Sequence, residues 1–94
     1  MSETRFLNVP RLPNGFRLHY DRVRSRYVLL FPEGAIGLNE TAVQVLELCD
    51  GVKTIEEISD ELSERFDGAD VHDDVEELLL SLANRGMVID ASDA

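Results

Sequence analysis

Residues 16–38, FRLHYDRVRSRYVLLFPEGAIGL, decide the fold of this chain. At the start of this stretch Phe16, Leu18 and Tyr20 are apolar, and the residues between them, Arg17, His19 and Asp21, are polar. A period of two is that of a strand with one face buried. Asp21–Ser25 is polar apart from Val23 and reads as a connecting loop. Tyr27–Phe31 is apolar at every position, the pattern of a strand covered on both sides or central in its sheet. Pro32 ends it, having no N–H to give the ladder. The short connection makes the two segments an antiparallel ribbon. Gly34–Leu38 then reads either as a brief third strand or as a linker to the next helix, its glycines weakening a strand while keeping the backbone approachable.

Upstream, Pro13-Asn14-Gly15 marks a turn, and residues 1–12 carry few structural signals, so a loosely held arm is expected there. Downstream, Asn39 suits an N-cap, and Ala42, Val43, Val45, Leu46, Leu48 and Cys49 give a first helix a wide apolar stripe up to Asp50-Gly51. Thr54 and Glu57 match a capping box, with Ile55, Ile58, Leu62 and Phe66 following at helical spacing. Asp67-Gly68 closes this second helix. Asp70 or a neighbour is expected to cap a third, in which Val71, Val75, Leu78 and Leu82 form one stripe and Leu79 widens it. Arg85 and Gly86 end that helix, and Met87-Val88-Ile89 is either a short strand or a segment that packs down. The expected architecture is α+β and winged helix-turn-helix-like: about three antiparallel strands followed by a three-helix bundle. One domain is expected over residues 13–90, between the arm at 1–12 and a polar tail at 91–94.

A length of 94 residues fits one domain, and 44% hydrophobic content is that of a globular chain. No apolar run approaches the ~18–20 residues that cross a bilayer, and the N-terminus lacks the apolar core of a signal peptide, so a cytoplasmic protein is expected. Cys49 is the single cysteine, which excludes an internal disulfide and fits a small buried hydrophobe. The net charge of −10 is unevenly spread. Residues 1–34 hold six arginines against three acids, +3, and the remainder holds three basic and sixteen acidic residues, −13. An acidic body repels polyanions, which disfavours DNA or RNA binding.

Candidate chemistry is sparse. The glycines are scattered, with no phosphate-binding loop, no nucleophile–base arrangement and no metal-ligand spacing. His19 and His72 read as solvated surface residues, and the acids Asp70, Asp73, Asp74, Glu76 and Glu77 read as the solvated start of a helix. No catalysis, cofactor or metal is expected. What remains is a surface: a sheet edge at Ala35–Leu38 on which an extended peptide could pair, and a third helix with more leucines than one stripe needs. Leu80 either stands exposed on its own or joins an apolar groove beside that edge.

The series Leu18…Tyr20-Asp21, Val28-Leu29-Leu30-Phe31-Pro32-Glu33, Leu38-Asn39, Leu46…Cys49-Asp50-Gly51, Asp74-Val75, Leu78 and Gly86 resembles the PqqD family of pyrroloquinoline quinone biosynthesis. The resemblance runs from about Leu12 to Ile89; Met87 stands where many relatives carry a bulkier aromatic. It implies a non-catalytic chaperone that recognises the precursor of a ribosomally made, modified peptide. The implied ligand is the precursor peptide PqqA, presented to the radical S-adenosylmethionine enzyme PqqE. It also implies docking by strand addition, with the backbone of Ala35, Ile36, Gly37 and Leu38 as the edge. Val75, Leu78, Leu79 and Leu82 would then be divided between groove and core. Arg17, Arg22, Arg24 and Arg26 are expected to steer acidic partners by long-range attraction.

Three rival readings are a winged-helix transcription regulator, an acidic carrier protein and a recognition domain of another peptide pathway. The first calls for a basic recognition helix, and the second and third helices here are dominated by acids. The second needs a serine in an Asp-Ser-Leu-like context, which is absent. The third is separated only poorly by sequence alone. A monomer is expected, with strand exchange through Gly34–Gly37 as the route to a dimer.

Overall fold

In the computed structural model, residues 8–91 are described. The elements run β1 (Pro10–Arg11), β2 (Arg17–Asp21), β3 (Arg26–Phe31), β4 (Gly34–Gly37), α1 (Glu40–Glu47), α2 (Ile55–Arg65), α3 (His72–Asn84) and β5 (Ile89–Asp90). The fold is α+β, as the pattern predicts. β2, β3 and β4 form an antiparallel sheet in that order, and β1 pairs with β5 in a second small sheet.

Period two in β2 becomes the division of the sheet into two faces. Leu18 pairs with Leu29 and Leu29 with Ile36, so these three apolar side chains form one row across the sheet. Leu29 is fully buried at the centre of that row, with Leu18 and Ile36 half-buried beside it against the helical core. Phe16 stacks on Phe31 with ring centroids 5.4 Å apart, and Tyr20 meets Tyr27 edge-on at 5.0 Å. These aromatic pairs extend the same face toward both ends of the ribbon. The opposite face carries the rows His19–Val28–Gly37 and Arg17–Leu30–Ala35. The all-apolar run Tyr27–Phe31 is thus central in its sheet.

The helices close over the first face. Val45 and Leu46 of α1, Ile58 and Leu62 of α2, and Val75, Leu79 and Leu82 of α3 meet Leu29 and Val88 in one core. α2 starts as its sequence dictates: Thr54 Oγ1 accepts from the Glu57 N–H at 3.1 Å and Glu57 Oε1 accepts from the Thr54 N–H at 2.9 Å. Asn39 caps α1, its Oδ1 accepting from the Ala42 N–H at 2.7 Å.

Some boundaries differ from those read in the sequence. α1 stops at Glu47, and the buried Leu48 and Cys49 follow in tight turns, their N–H groups donating to Val45 and Leu46. Gly51 does not close that helix. At φ 81° it turns the chain so that its N–H reaches the Pro10 carbonyl at 3.1 Å. α3 has Val71 at its N-cap with no side-chain cap bond; Asp70, one position earlier, accepts instead from the His72 N–H at 3.2 Å.

The arm expected over residues 1–12 divides. Residues 1–7 lie outside those described, whereas Asn8–Leu12 belong to the domain. Pro10 is buried, and Pro10 and Arg11 pair with Asp90 and Ile89. The Asn8 and Val9 N–H groups donate to the Asp90 carboxylate at 3.2 and 3.0 Å, and Ala91 N–H donates to Val9 at 2.7 Å. The expected tail falls on Ala91, which is held by this bond, and on residues outside the description. These pairings join segments about eighty positions apart, so no local pattern could announce them.

Candidate peptide-docking edge

β4 is the outer strand of its sheet: β3 pairs with one side of it, and no strand among the described residues pairs with the other. The Leu38 N–H donates to the Tyr27 carbonyl at 3.0 Å. In an antiparallel ladder, hydrogen-bonded and non-hydrogen-bonded pairs alternate. With Tyr27–Leu38 hydrogen-bonded, Val28–Gly37 is not, Leu29–Ile36 is, and Leu30–Ala35 is not. Ile36 therefore directs its N–H and C=O at β3, and Ala35 and Gly37 direct theirs away from the sheet. Two donors and two acceptors stand along the rim in the spacing an added strand would meet.

The expected docking residues Ala35, Ile36, Gly37 and Leu38 thus share one short segment with divided roles. Ala35 and Gly37 offer backbone. Ile36 and Leu38 turn apolar side chains to the helical face, where both are half-buried. From α3 the structure brings only Leu78 to a comparable position, half-buried against the same core. Val75, Leu79 and Leu82 are 3%, 0% and 5% exposed and belong to the core, which puts them on the core side of the expected division between groove and core. The steps of three and four from Val75 to Leu79 and Leu82 put those side chains on the face packed toward α2 and the sheet. Leu80, 36% exposed, points elsewhere on the helix.

The outer face beside β4 holds a shallow depression lined by His19, Asp21, Arg24, Arg26, Val28, Leu30, Ala35, Ile36 and Gly37. Sequence reasoning missed it as a site, although the period of β2 placed its polar residues there. The steering arginines Arg17, Arg22, Arg24 and Arg26 are all exposed. Arg24 Nη1 pairs with Asp21 Oδ2 at 3.1 Å, and that bond chiefly holds the Asp21 carboxyl below its ordinary range. Asp21 also accepts from the Val23 and Arg24 N–H groups in the turn. Arg26, directly opposite Asp21 in the ladder, makes no ion pair among the described residues.

The reactive side chains are dispersed. Cys49 lies in the core, where burial, with the adjacent Asp50 charge, pushes its thiol up to about 12. Its Sγ donates to the Val45 carbonyl at 3.3 Å, and the buried Ser59 hydroxyl donates to Ile55 at 2.8 Å. Both are held by helix backbone, away from His19 on the outer face. His72, Asp73 and Glu76 bring three ligand atoms within 4.8 Å of one another at the start of α3, Glu76 standing three and four positions from the other two, as helix neighbours do.

Comparison with known proteins adds a family to this geometry. A profile described as Coenzyme PQQ synthesis protein D (PqqD) matches residues 26–88. A protein of Methylococcus capsulatus named "PqqA binding protein" is 43% identical over 77% of each chain. One of the same name from Rhodopseudomonas palustris is 34% identical over 90% of this chain and 85% of that one. A bifunctional coenzyme PQQ synthesis protein C/D of Methylorubrum extorquens is 41% identical over 83% of this chain and 22% of its own length. Among solved structures, the PqqD truncation of Methylobacterium extorquens PqqCD, described as a functional, stand-alone recognition element for ribosomally synthesised, modified peptides, superposes with a TM-score of 0.72. It is 39% identical, with 85% of this chain and 87% of that one covered. PqqD from Xanthomonas campestris gives a TM-score of 0.53 at 34% identity, covering 79% and 84% of the two chains.

Proposed function

This chain belongs to the PqqD family, and from that membership we propose that it is a non-catalytic adaptor binding the peptide PqqA in pyrroloquinoline quinone biosynthesis. PqqA adds as a strand to β4 and is presented to the radical S-adenosylmethionine enzyme PqqE. The observation that carries the docking step is the outward direction of the Ala35 and Gly37 backbone groups on a strand with no second neighbour among the described residues. Main-chain pairing supplies affinity that tolerates varied sequence, and half-buried Ile36, Leu38 and Leu78 supply apolar contact. A disordered peptide loses conformational entropy on docking, and an edge already held in place by β3 lowers the ordering cost on the protein's side. Presentation to an enzyme draws support from the relative in which the C and D proteins are one chain.

The test is titration of ¹⁵N-labelled chain with synthetic PqqA. Amide shifts concentrated at Gly34–Leu38 and around Leu78 support the reading. Shifts confined to the acidic α2, or none, overturn it. Mixtures of PqqA and PqqE with and without this chain test presentation separately: modification of PqqA should require this chain.

A further inference from the structure

Arg26 is placed where long-range steering alone does not require it. A Cβ built on Gly37 would fall on the Arg26 guanidinium, with Nη2 the nearest atom and Nε 2.8 Å away. The guanidinium therefore lies across the outer face of Gly37, on the strand proposed to receive the peptide. Gly37 is not among the glycines at positive φ, so its backbone does not call for glycine; the missing side chain leaves the room the guanidinium occupies. Asp21, the acid opposite Arg26 in the ladder, is engaged by Arg24 and by its own turn. The apolar floor of the depression is Val28, 9% exposed, and Leu30.

On the docking reading above, we propose that this depression reads register: it takes the carboxylate of an acidic residue in the incoming strand at the position facing Gly37. Residues facing each other in a sheet share a face. The side chain of the residue beside Gly37 therefore projects onto the outer face, where no Gly37 side chain intervenes before the Arg26 guanidinium. A guanidinium donates in a planar fork that matches a carboxylate. Its Nη2, Cζ and Nε already lie over Gly37, so less freedom is lost on pairing than for an arginine extended into solvent. Backbone pairing at Ala35 and Gly37 is indifferent to sequence and permits slippage by two residues. One fixed cation on the rim removes that degeneracy, because a slipped peptide brings another side chain to Arg26.

The test pairs protein and peptide variants. Synthetic PqqA and a set of PqqA peptides, each with one Glu or Asp changed to its amide, are titrated against the wild-type chain, Arg26→Gln, Gly37→Ala and, as a control, Arg22→Gln. For the wild type, one amide peptide should bind about tenfold more weakly than the parent, the size of a charge-assisted hydrogen bond. Arg26→Gln should weaken the parent by a similar factor and bind that amide peptide no worse than the parent. Gly37→Ala, which displaces the guanidinium and keeps the rim's N–H and C=O groups, should do the same. Arg22→Gln should leave the discrimination intact. Additive losses for Arg26→Gln and every amide peptide, or an unchanged affinity, overturn the register role. If parent PqqA still shifts the β4 amides in that case, strand docking survives and only this inference falls. If those amides do not respond in the wild type, both fall.

Discussion

The hydrogen bond from the Leu38 N–H to the Tyr27 carbonyl, 3.0 Å long, sets the phase of β4. Counting back from it, Ile36 faces β3, whereas Ala35 and Gly37 face outward. Proline substitution separates the two roles, because proline removes a single N–H. Ala35→Pro should keep the fold by circular dichroism and weaken PqqA binding about two- to tenfold, the worth of one backbone hydrogen bond. Ile36→Pro should lose a bond to β3 and apolar packing, lowering stability by about 2–4 kcal/mol. Equal effects of both substitutions on urea midpoints would show that the phase is wrong.

The α3 leucines should separate by the same kind of measurement. Leu79→Ala empties a fully buried position and should cost about 2–5 kcal/mol. Leu80→Ala, at a surface position, should change stability by less than ~0.5 kcal/mol. Leu78→Ala should fall between them, and on the proposed docking reading it is the one that weakens peptide binding. A Leu80→Ala protein with impaired binding and a normal Leu78→Ala protein would reverse the assignment.

Cys49 should be silent to thiol reagents in the folded chain. Its thiol is raised to about 12 by burial and then by the Asp50 charge, so near pH 8 the thiolate that attacks such reagents is scarce. Ellman's reagent should react only as urea unfolds the protein. A raised folded value also means that stability is fully present below the ordinary value of 9.0 and declines as pH rises from there through about 12. Cys49→Ala should lack that part of the decline. Fast labelling at native pH would contradict the buried placement.

Asp50 governs the turn between α1 and α2. Its Oδ1 accepts from the Val52 and Lys53 N–H groups at 2.9 Å, and Oδ2 from Lys53 Nζ at 2.9 Å. The bonds from Lys53, backbone first, hold its carboxyl well below the ordinary 3.8. Its contribution is present above that ordinary value and is lost as pH falls through the lower, folded one. Asp50→Asn keeps an oxygen acceptor but removes the charge, so the fall of Tm below about pH 4 should become shallower. An unchanged acid profile would assign the pH dependence to other carboxylates.

Thr54→Ala removes the side-chain half of the capping box and should cost about 1 kcal/mol, with Thr54→Ser restoring most of it. Thermal melts of the three proteins decide the matter.

The elements that could be read in the sequence were those whose signals lie within a few residues of each other. The alternation from Phe16 to Asp21, the capping box at Thr54 and Glu57, and the stripe Ile55–Ile58–Leu62 each reflect local geometry, and each appears where the spacing puts it. The family, too, was legible, because its marks are short strings such as Phe31-Pro32-Glu33-Gly34 and Cys49-Asp50-Gly51. The pattern in α3 showed how many leucines were apolar without showing what each would meet. A helix stripe wide enough for Leu78, Leu79 and Leu82 has an inner part and a margin, and only packing against α2 and the sheet made Leu79 core and Leu78 margin.

The sequence by itself determined the β2–β3 ribbon, the three helices, the acidic body with a basic ribbon, and the kinship, since these depend on neighbours along the chain. Only the tertiary structure decided that Pro10 and Arg11 pair with Asp90 and Ile89, leaving β4 without a second strand among the described residues. The same holds for the direction of each rim group and for the guanidinium of Arg26 over Gly37. The physical reason is that register and facing are set by contacts between segments far apart in the chain. A shift of one residue would exchange every inward and outward group while leaving the composition of each strand unchanged.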